Sequence, residues 1–398
     1  MLRAHDPFRR AQLAIATLFF FLGFQYATWV SRLPALKTEL DLTEAQLGLL
    51  LMAGGVGAAA SYPLVAVAMK RLGSRRLSLL AALALAVILP VLAVTPNYPV
   101  TLVVICLDGV AVGFLNVAMN AQGAALEVEY QRTAMARFHA TFSAGSLAAA
   151  LVASGVNLFT SALTVHFGVA ALLLVLVVGL TRSGLLTSDQ PTTQETAAQD
   201  AAEQPEPEPA AKRGLTLPTR VTIWMGLAMV FGTITEGAMN DWSTLYMKDV
   251  VSASAQVAPL GIAVVSGMMV LARIFADGWR ARWGDGRIVV AGSALAGAGL
   301  ATALLVGGVV PALIGFACVG LGTAAITPCV YVAAARQGSD ALALVAAMGT
   351  IGLLAGPAII GFIADGSSLV WGMSAVAASA GLVSLCSTRI RWKALAEV

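Results

Sequence analysis

Three acidic side chains fall within long apolar stretches of this sequence, where a charged group is costly to place. They are Asp108, Glu236 and Asp241. A charge at the centre of a bilayer costs at least roughly 2.5–3.5 kcal/mol on insertion scales, so such residues usually face a cavity, a partner or an ion path. A carboxyl group that binds and releases a proton there can couple proton movement to solute movement. We predict this role for all three, with Glu236 the strongest candidate; a paired, purely structural role is the alternative.

Uncharged polar side chains accompany these acids. Asn116 and Asn120 lie one helical turn apart, and Asn240 shares a helical face with Glu236 by its spacing of four. An amide both donates and accepts hydrogen bonds, which suits solutes with hydroxyl, amide or carbonyl groups. We predict that Asn116, Asn120 and Asn240 bind solute together with the two remaining candidates, Gln25 and Trp29. The alternative is that the amides join neighbouring helices, as they often do in membranes.

Basic residues gather where two apolar stretches end. Lys70, Arg71 and Arg75 follow the second stretch, and Arg273 and Asp277 stand four apart at the end of the eighth. We predict that these five residues form a gate between two halves of the protein. The alternative is that they only fix the direction in which the chain crosses the membrane.

The composition of the chain indicates which class of protein holds these side chains. Apolar residues make up 58% of the 398 residues and charged residues only 11%, against about 25% charged in ordinary globular domains. A soluble protein of this size could not bury so much apolar surface. The composition therefore excludes soluble enzymes, disordered chains, collagens and nucleic-acid-binding proteins, and it indicates an all-α membrane protein.

Twelve segments are long and apolar enough to span a bilayer as helices, which need about 20 such residues. They are residues 11–33, 44–69, 76–95, 100–124, 138–158, 162–181, 219–247, 255–277, 287–306, 309–331, 341–364 and 367–388. With both termini in the cytoplasm, only Arg32, Lys37 and Lys248 of the 24 lysines and arginines lie outside. This strong bias predicts a multi-pass protein of the cell inner (plasma) membrane with both termini cytoplasmic.

An acidic, proline-containing segment divides the spans into two sets of six. We predict an N-terminal bundle over residues 1–182, a disordered cytoplasmic linker over 183–214 and a C-terminal bundle over 215–398. Two similar triplets follow the second span of each set, namely Arg-Leu-Gly at 71–73 and Arg-Trp-Gly at 282–284. Two equal sets with such echoes predict two pseudo-symmetric bundles, as in transporters built from repeats.

The sequence gives no sign of a cofactor, a metal or catalysis. The four cysteines lie in apolar runs without a C-x-x-C pair, and no phosphate-binding G-x-x-x-x-G-K-[ST] motif occurs. We expect no cofactor, no metal site, no catalytic residue and no enzymatic activity. The expected partners are a small-molecule solute, protons and membrane lipid, without nucleic acid, and we expect a monomer.

The six-plus-six layout resembles the major facilitator superfamily (MFS). Four segments in order are similar to its YbjJ-like branch: WVSRLP at 29–34, NVAMN at 116–120, FSAG at 142–145 and EGAMNDW at 236–242. That branch is loosely similar to the proton-coupled fucose permeases, but both carboxylates of those permeases are replaced here, by Val30 and Asn116. The resemblance implies a secondary active transporter, symporter or antiporter, that works by alternating access and is coupled to protons. Efflux of an amphipathic drug or metabolite, and a non-transporting membrane sensor or scaffold, are the alternatives.

Overall fold

The computed structural model describes residues 6–187, 219–390 and 392, without the side chains of Ala136 and Asp277. Throughout these residues the secondary structure is helical, and no strand occurs among them. Ten helices are long and apolar enough to cross a membrane. We call the side of the bundle on which α1 begins and the last helix ends the termini face, and the opposite side the distal face.

The N-terminal half contains six helices. They are α1 (Pro7–Val30), α2 (Leu33–Glu39), α3 (Glu44–Leu92), α4 (Tyr98–Tyr130), α5 (Met135–Val156) and α6 (Leu163–Thr181). Polar side chains define where several of them begin. Asp6 caps α1 ahead of Pro7, and Thr43 forms a reciprocal capping box with Gln46 at the start of α3. The short α2 continues from α1 after a break at Arg32 and lies at the distal face.

The C-terminal half repeats this plan. It contains α7 (Arg220–Leu245), a π-helix (Tyr246–Val250), α8 (Leu260–Trp283), α9 (Asp285–Val306), α10 (Val309–Thr323), α11 (Ile326–Ala335), α12 (Ser339–Gly366) and α13 (Leu369–Thr388). Helices α10 and α11 together make one crossing over Val309–Ala335. The π-helix extends α7 at the distal face, opposite α2 of the first half.

Helix α3 is a hairpin that crosses the membrane twice. As one straight rod its 49 residues would be about 74 Å long, more than twice the thickness of the apolar layer. Gly73, at φ 72°, interrupts the helix, and Val65 and Leu77 on either side of it pack against the same residue, Ala118. Gly284, at φ 80°, reverses the chain between α8 and α9 in the same way. Positive φ favours glycine at both positions, which explains the sequence echo.

The number of crossings agrees with the prediction of twelve. The ten long helices count α3 once, although it crosses twice, and they leave out α8, whose apolar part Leu260–Ala276 is shorter. Including both gives twelve crossings in two sets of six. The expected all-α architecture of two six-helix bundles is therefore confirmed.

The two halves pack together through small residues in the distal part of the bundle. A Cβ added at Gly48 of α3 would lie 2.7 Å from the carbonyl oxygen of Pro357 in α12. Gly267 of α8 faces Leu147 of α5. Such close approach of backbones is typical of helix pairs in membranes, where small residues replace the hydrophobic effect as the cause of tight packing.

The N-terminal half extends beyond the predicted boundary at residue 182. Leu185 is buried, and the side chain of Gln122 binds both the amide and the carbonyl group of Leu186, at 2.8 Å and 3.1 Å. Residues 183–187 are thus held against the half and are not the start of a free linker. The rest of the predicted acidic linker, residues 188–214, lies outside the described residues.

Candidate functional site

The middle of the bundle holds an ion pair of the C-terminal half, and its arginine also bonds to the N-terminal half. Nη2 of Arg273 in α8 lies 3.4 Å from Oε1 of Glu236 in α7, and Nη1 of Arg273 donates a hydrogen bond to Ser143 of α5. The Glu236 and Arg273 side chains are 29% and 24% exposed, so open space reaches both. Arg273 was expected to form the termini-side gate with Asp277. Its contacts instead place it in the central site, because α8 continues to Trp283 and Arg273 lies near the middle of this helix and not at its end.

A second polar contact between the halves lies beside this ion pair. The hydroxyl group of Tyr26 in α1 donates a hydrogen bond to Asp241 in α7. One of the three acids predicted from the sequence, Asp241, therefore meets a tyrosine of the other half that sequence reasoning did not single out.

Gln25 and Trp29 do not line open space. The Gln25 side chain is fully buried and its Nε2 donates to Oδ1 of Asp108 at 2.8 Å, which joins α1 to α4. Trp29 is 4% exposed and meets Tyr26 edge to face at 5.9 Å. Both side chains are thus buried in this structure, and their contact with solute stays a prediction. The bond from Gln25 to Asp108 is one that the helix-pairing alternative for Asp108 requires, and the proton-coupling role of Asp108 stays a prediction.

The three asparagines keep some exposure at the centre. Asn120 donates to the backbone carbonyl and the side-chain oxygen of Asn116, at 2.7 Å and 3.0 Å, and Asn240 donates to the backbone carbonyl of Glu236 at 3.0 Å. All three are partly exposed. These bonds within one helix fix the amide orientations and leave part of each side chain open, as a solute site requires.

The predicted basic gate has no bridge between the halves among the described residues. Nη2 of Arg75 donates to the carbonyl oxygen of Arg182, which belongs to the same half, at 2.7 Å. Lys70 and Arg71 are exposed at the termini face, and the Asp277 side chain lies outside the described residues. The gate was predicted to close when the distal face is open, so the gating role stays a prediction for Lys70, Arg71, Arg75 and Asp277.

At the distal face the halves are joined by a charged cluster that sequence reasoning missed. Nζ of Lys37 in α2 lies 2.6 Å from Oε1 of Glu44 and 2.9 Å from Oδ2 of Asp249 in the π-helix. We call these three residues the distal clasp. Burial lowers the pKa of Lys37, but hydrogen bonds to the two carboxylates outweigh burial and hold the pKa above its ordinary value of 10.5. The sequence offered one sign of this cluster, namely that few charged residues lie near the distal ends of the spans.

A polar seam next to the clasp continues the closure. Asn157 of the first half donates to the carbonyl oxygen of Ala255 at 2.6 Å and accepts from Gln256 at 3.2 Å through its own carbonyl. Ser154 donates to the carbonyl oxygen of Gln256. Arg32, counted among the basic residues on the outer side, is 3% exposed and bonded to Asn157 and Ser161.

Every contact between the halves described above lies at the level of Arg273 and Ser143 or nearer the distal face. The distal ends of α3 and α12 are closely packed through Gly48 and Gly361. Further toward the termini face, α3 exposes Tyr62 and Val67. The bundle is therefore closed at the distal face. Among the described residues, no group of three or more His, Cys, Asp or Glu side chains could hold a metal ion.

Comparisons with known proteins decide the family. Residues 13–340 match the Major Facilitator Superfamily. The chain belongs to this superfamily. An uncharacterized MFS-type transporter of Yersinia pestis is 30% identical over 377 residues, which cover 92% of each chain. This protein is thus a membrane transporter of the superfamily, as the resemblance implied.

Solved structures show the same fold at low sequence identity. A D-xylose–proton symporter superposes with a TM-score of 0.73 at 13% identity, over 97% of this chain and 98% of the other. The MFS transporter FucP, in an outward conformation, gives 0.61 at 16% identity, over 97% and 99%. At such identities the likeness concerns the fold and not the solute.

Proposed function

We propose that this protein is a secondary active transporter that moves a small polar organic solute across the bacterial inner membrane, coupled to protons. Both termini would be cytoplasmic, so the closed distal face would be the outer side. The observation that carries the proposal is the bridge from Glu236 to Arg273 to Ser143. It joins the halves at mid-depth and is reached by open space.

The proposed coupling works through the charge of Glu236. When Glu236 is ionised it holds Arg273, and when it binds a proton the ion pair is lost and Arg273 is free to bind solute or Ser143 alone. A titratable acid beside the solute site thereby links the two ligands, because each changes the free energy of binding the other. Asn116, Asn120 and Asn240 would bind hydroxyl or carbonyl groups of the solute.

Asp241 and Asp108 would have different roles. The bond between Tyr26 and Asp241 crosses the halves, so it must break when the distal face opens, and protonation of Asp241 would weaken it. The bond between Gln25 and Asp108 joins helices of one half and can persist through the movement. We therefore propose Asp241 as a second proton site and Asp108 as a structural residue.

The test uses Glu236→Gln, which removes the titratable charge and keeps the shape. Purified protein is first screened by thermal shift against two panels, one of pentoses, hexoses and nucleosides and one of hydrophobic antibiotics. The stabilising compound is then applied to proteoliposomes that contain a pH-sensitive dye. We expect the compound to change internal pH with the wild type and not with Glu236→Gln, while exchange of labelled compound persists. The sign of the pH change separates symport from antiport.

Glu129→Gln is the matched control, because Glu129 is exposed and lies outside the central site. It should retain proton movement. Unchanged proton movement in Glu236→Gln would refute the coupling role. Stabilisation by the antibiotic panel alone would refute the polar solute and support efflux.

A further inference from the structure

The central arginine has hydrogen-bonding capacity that the protein does not use. A guanidinium group carries five N–H donors, and those of Arg273 make two contacts among the described residues, with Oε1 of Glu236 at 3.4 Å and with Ser143. The contact with Glu236 is long and uses one carboxylate oxygen, whereas such bonds are usually about 2.7–2.9 Å long and often come in parallel pairs. The Arg273 side chain is 24% exposed. Donors therefore remain for a ligand that enters the open space.

The charge balance of this pair restricts the kind of ligand. With Glu236 ionised, the pair is neutral. A proton on Glu236 leaves the positive charge of Arg273 unbalanced, because no other acid among the described side chains pairs with it. Such a charge is costly once the site closes around the solute and excludes water. A neutral solute leaves this cost unchanged and a cationic solute adds to it, whereas a solute with one negative charge removes it.

The other titratable side chains around the pair do not reverse this balance. Asp241 and Asp108 are 6% and 4% exposed and accept hydrogen bonds from Tyr26 and Gln25, so a solute in the open space does not reach them. His139 lies on α5 one helical turn before the serine that binds Arg273, and it is exposed. Of these three groups only His139 is open to the solute, and its protonation adds positive charge.

The amide groups beside the pair indicate what else the solute carries. Nδ2 of Asn240 donates to the carbonyl oxygen of Glu236, and Nδ2 of Asn120 donates to Asn116. These bonds leave the amide oxygens of Asn240 and Asn120 as acceptors, and both side chains are partly exposed. An acceptor needs a donor such as a hydroxyl group. A solute with hydroxyl groups in addition to its negative charge therefore fits the site.

We propose that the solute is a hydroxylated monocarboxylate, such as a sugar acid, whose carboxylate binds Arg273 in place of Glu236. The inference rests on the proposed function, because protonation of Glu236 is what releases Arg273. The proton and the carboxylate then occupy the site together, which is the arrangement of a symporter. A carboxylate fits better than a phosphate ester, because such an ester carries a charge of about −1.5 to −2 near pH 7 and one arginine balances a single charge.

The first experiment compares acids with matched neutral compounds. The purified full chain is screened by thermal shift against glucuronate, gluconate and glycerate, with glucose, sorbitol and glycerol as the neutral counterparts and glucose 6-phosphate as the phosphate ester. We expect at least one acid to stabilise the protein at a concentration about ten-fold or more below that of its counterpart, because its hydrogen bonds to Arg273 are charge-assisted.

Variants then assign the preference to the pair. Arg273→Gln should remove the preference for the acid, and Arg273→Lys, which keeps the charge, should restore part of it. Arg76→Gln, at an exposed arginine of the other half, is the matched control and should keep the preference. In the wild type the affinity for the acid should fall as the pH rises, because ionised Glu236 competes for Arg273. In Glu236→Gln this dependence on pH should disappear while the acid still binds.

The outcomes separate this inference from the proposed function. Equal binding of acid and neutral compound, a preference for glucose 6-phosphate, failure of every acid to stabilise the wild type, or an acid preference that survives in Arg273→Gln would overturn the inference. If a neutral sugar binds preferentially and changes the internal pH of proteoliposomes, the proposed function stands and the inference fails. If an acid binds through Arg273 but moves no protons, the carboxylate site stands and the proton coupling fails.

Discussion

The distal clasp provides the sharpest test of how the halves are held together. Replacing Lys37 with methionine keeps most of the side-chain volume and removes the ammonium group that joins Glu44 to Asp249. The substitution therefore removes one attraction between the halves. It also leaves two carboxylates facing each other, Glu44 on the first half and Asp249 on the second. We expect the distal face to open more often.

The size of the effect follows from the distances. The lysine nitrogen lies 2.6 Å from one carboxylate oxygen and 2.9 Å from the other, so these oxygens are at most 5.5 Å apart. Two unit charges at that separation repel by about 0.8 kcal/mol in water and by about 3 kcal/mol at an effective dielectric constant of about 20. The two carboxylate side chains are 28% and 34% exposed, so the lower end applies. With the lost attraction the shift is about 1–2 kcal/mol, or about a 5–30-fold higher ratio of open to closed protein.

Distances between spin labels measure this ratio directly. One label is attached at Phe159→Cys in the first half and the other at Ser368→Cys in the second, because both side chains are exposed at the distal face. The native cysteines are first replaced, namely Cys106, Cys318, Cys329 and Cys386. We expect a longer distance to gain population in Lys37→Met. Lys248→Met, which removes an exposed charge nearby, should leave the distribution unchanged.

A double variant identifies the cause. Adding Glu44→Gln to Lys37→Met removes the repulsion but does not restore the attraction, so part of the closed population should return. If Lys37→Met leaves the distribution as it is in Lys248→Met, the clasp does not hold the halves. If the double variant opens further than Lys37→Met, the electrostatic reasoning is wrong.

Three other perturbations test neighbouring parts of the structure. The pKa of Lys37 in the folded protein is raised above 10.5. Its contribution to closure is therefore fully present below pH 10.5 and is lost as the pH rises through the raised pKa. The distances between the labels should stay constant from neutral pH to about pH 10 and lengthen at higher pH. Gly109→Ala would place a Cβ against the carbonyl oxygen of Gly54 and should destabilise the protein by about 1–3 kcal/mol in thermal unfolding, whereas Gly168→Ala, with nothing within 4 Å, should not. Asp108→Ala leaves the buried amide of Gln25 unpaired and should lower the free energy of unfolding by about 1–3 kcal/mol, whereas Asp108→Asn can still accept the hydrogen bond and should lower it less. An Asp108→Asn protein that is stable but moves no protons would contradict the structural role.

The sequence predicted the fold well because span number depends on the length of apolar runs, a property of neighbouring residues. The same holds for the chain reversals, since Gly73 and Gly284 are the last residues of similar triplets and both adopt positive φ. Hydropathy reports how deep a residue lies in the membrane but not which way its side chain points. For that reason Gln25 and Trp29 were assigned to the cavity although both are buried.

The candidate site could be predicted only in part, because its contacts join distant residues. Asp108, Glu236 and Asp241 were recognisable individually, since an acid in an apolar run is rare. Their partners were not: Glu236 meets Arg273 from another helix, and Lys37 meets Asp249 across 212 positions. No local pattern encodes such pairs, and α8 continues past the predicted span to Trp283, so Arg273 lies deeper in the bundle than the predicted span indicated.

The sharp reversal within α3 has a consequence for biosynthesis. Only one residue between the second and third crossings lies outside helical geometry. The connecting loop is therefore too short to remain in water while one crossing enters the bilayer before the other. We therefore expect the two crossings to leave the ribosome-bound insertion channel as a pair. A substitution at Gly73 that stiffens the reversal would be felt during synthesis, before any transport could be measured.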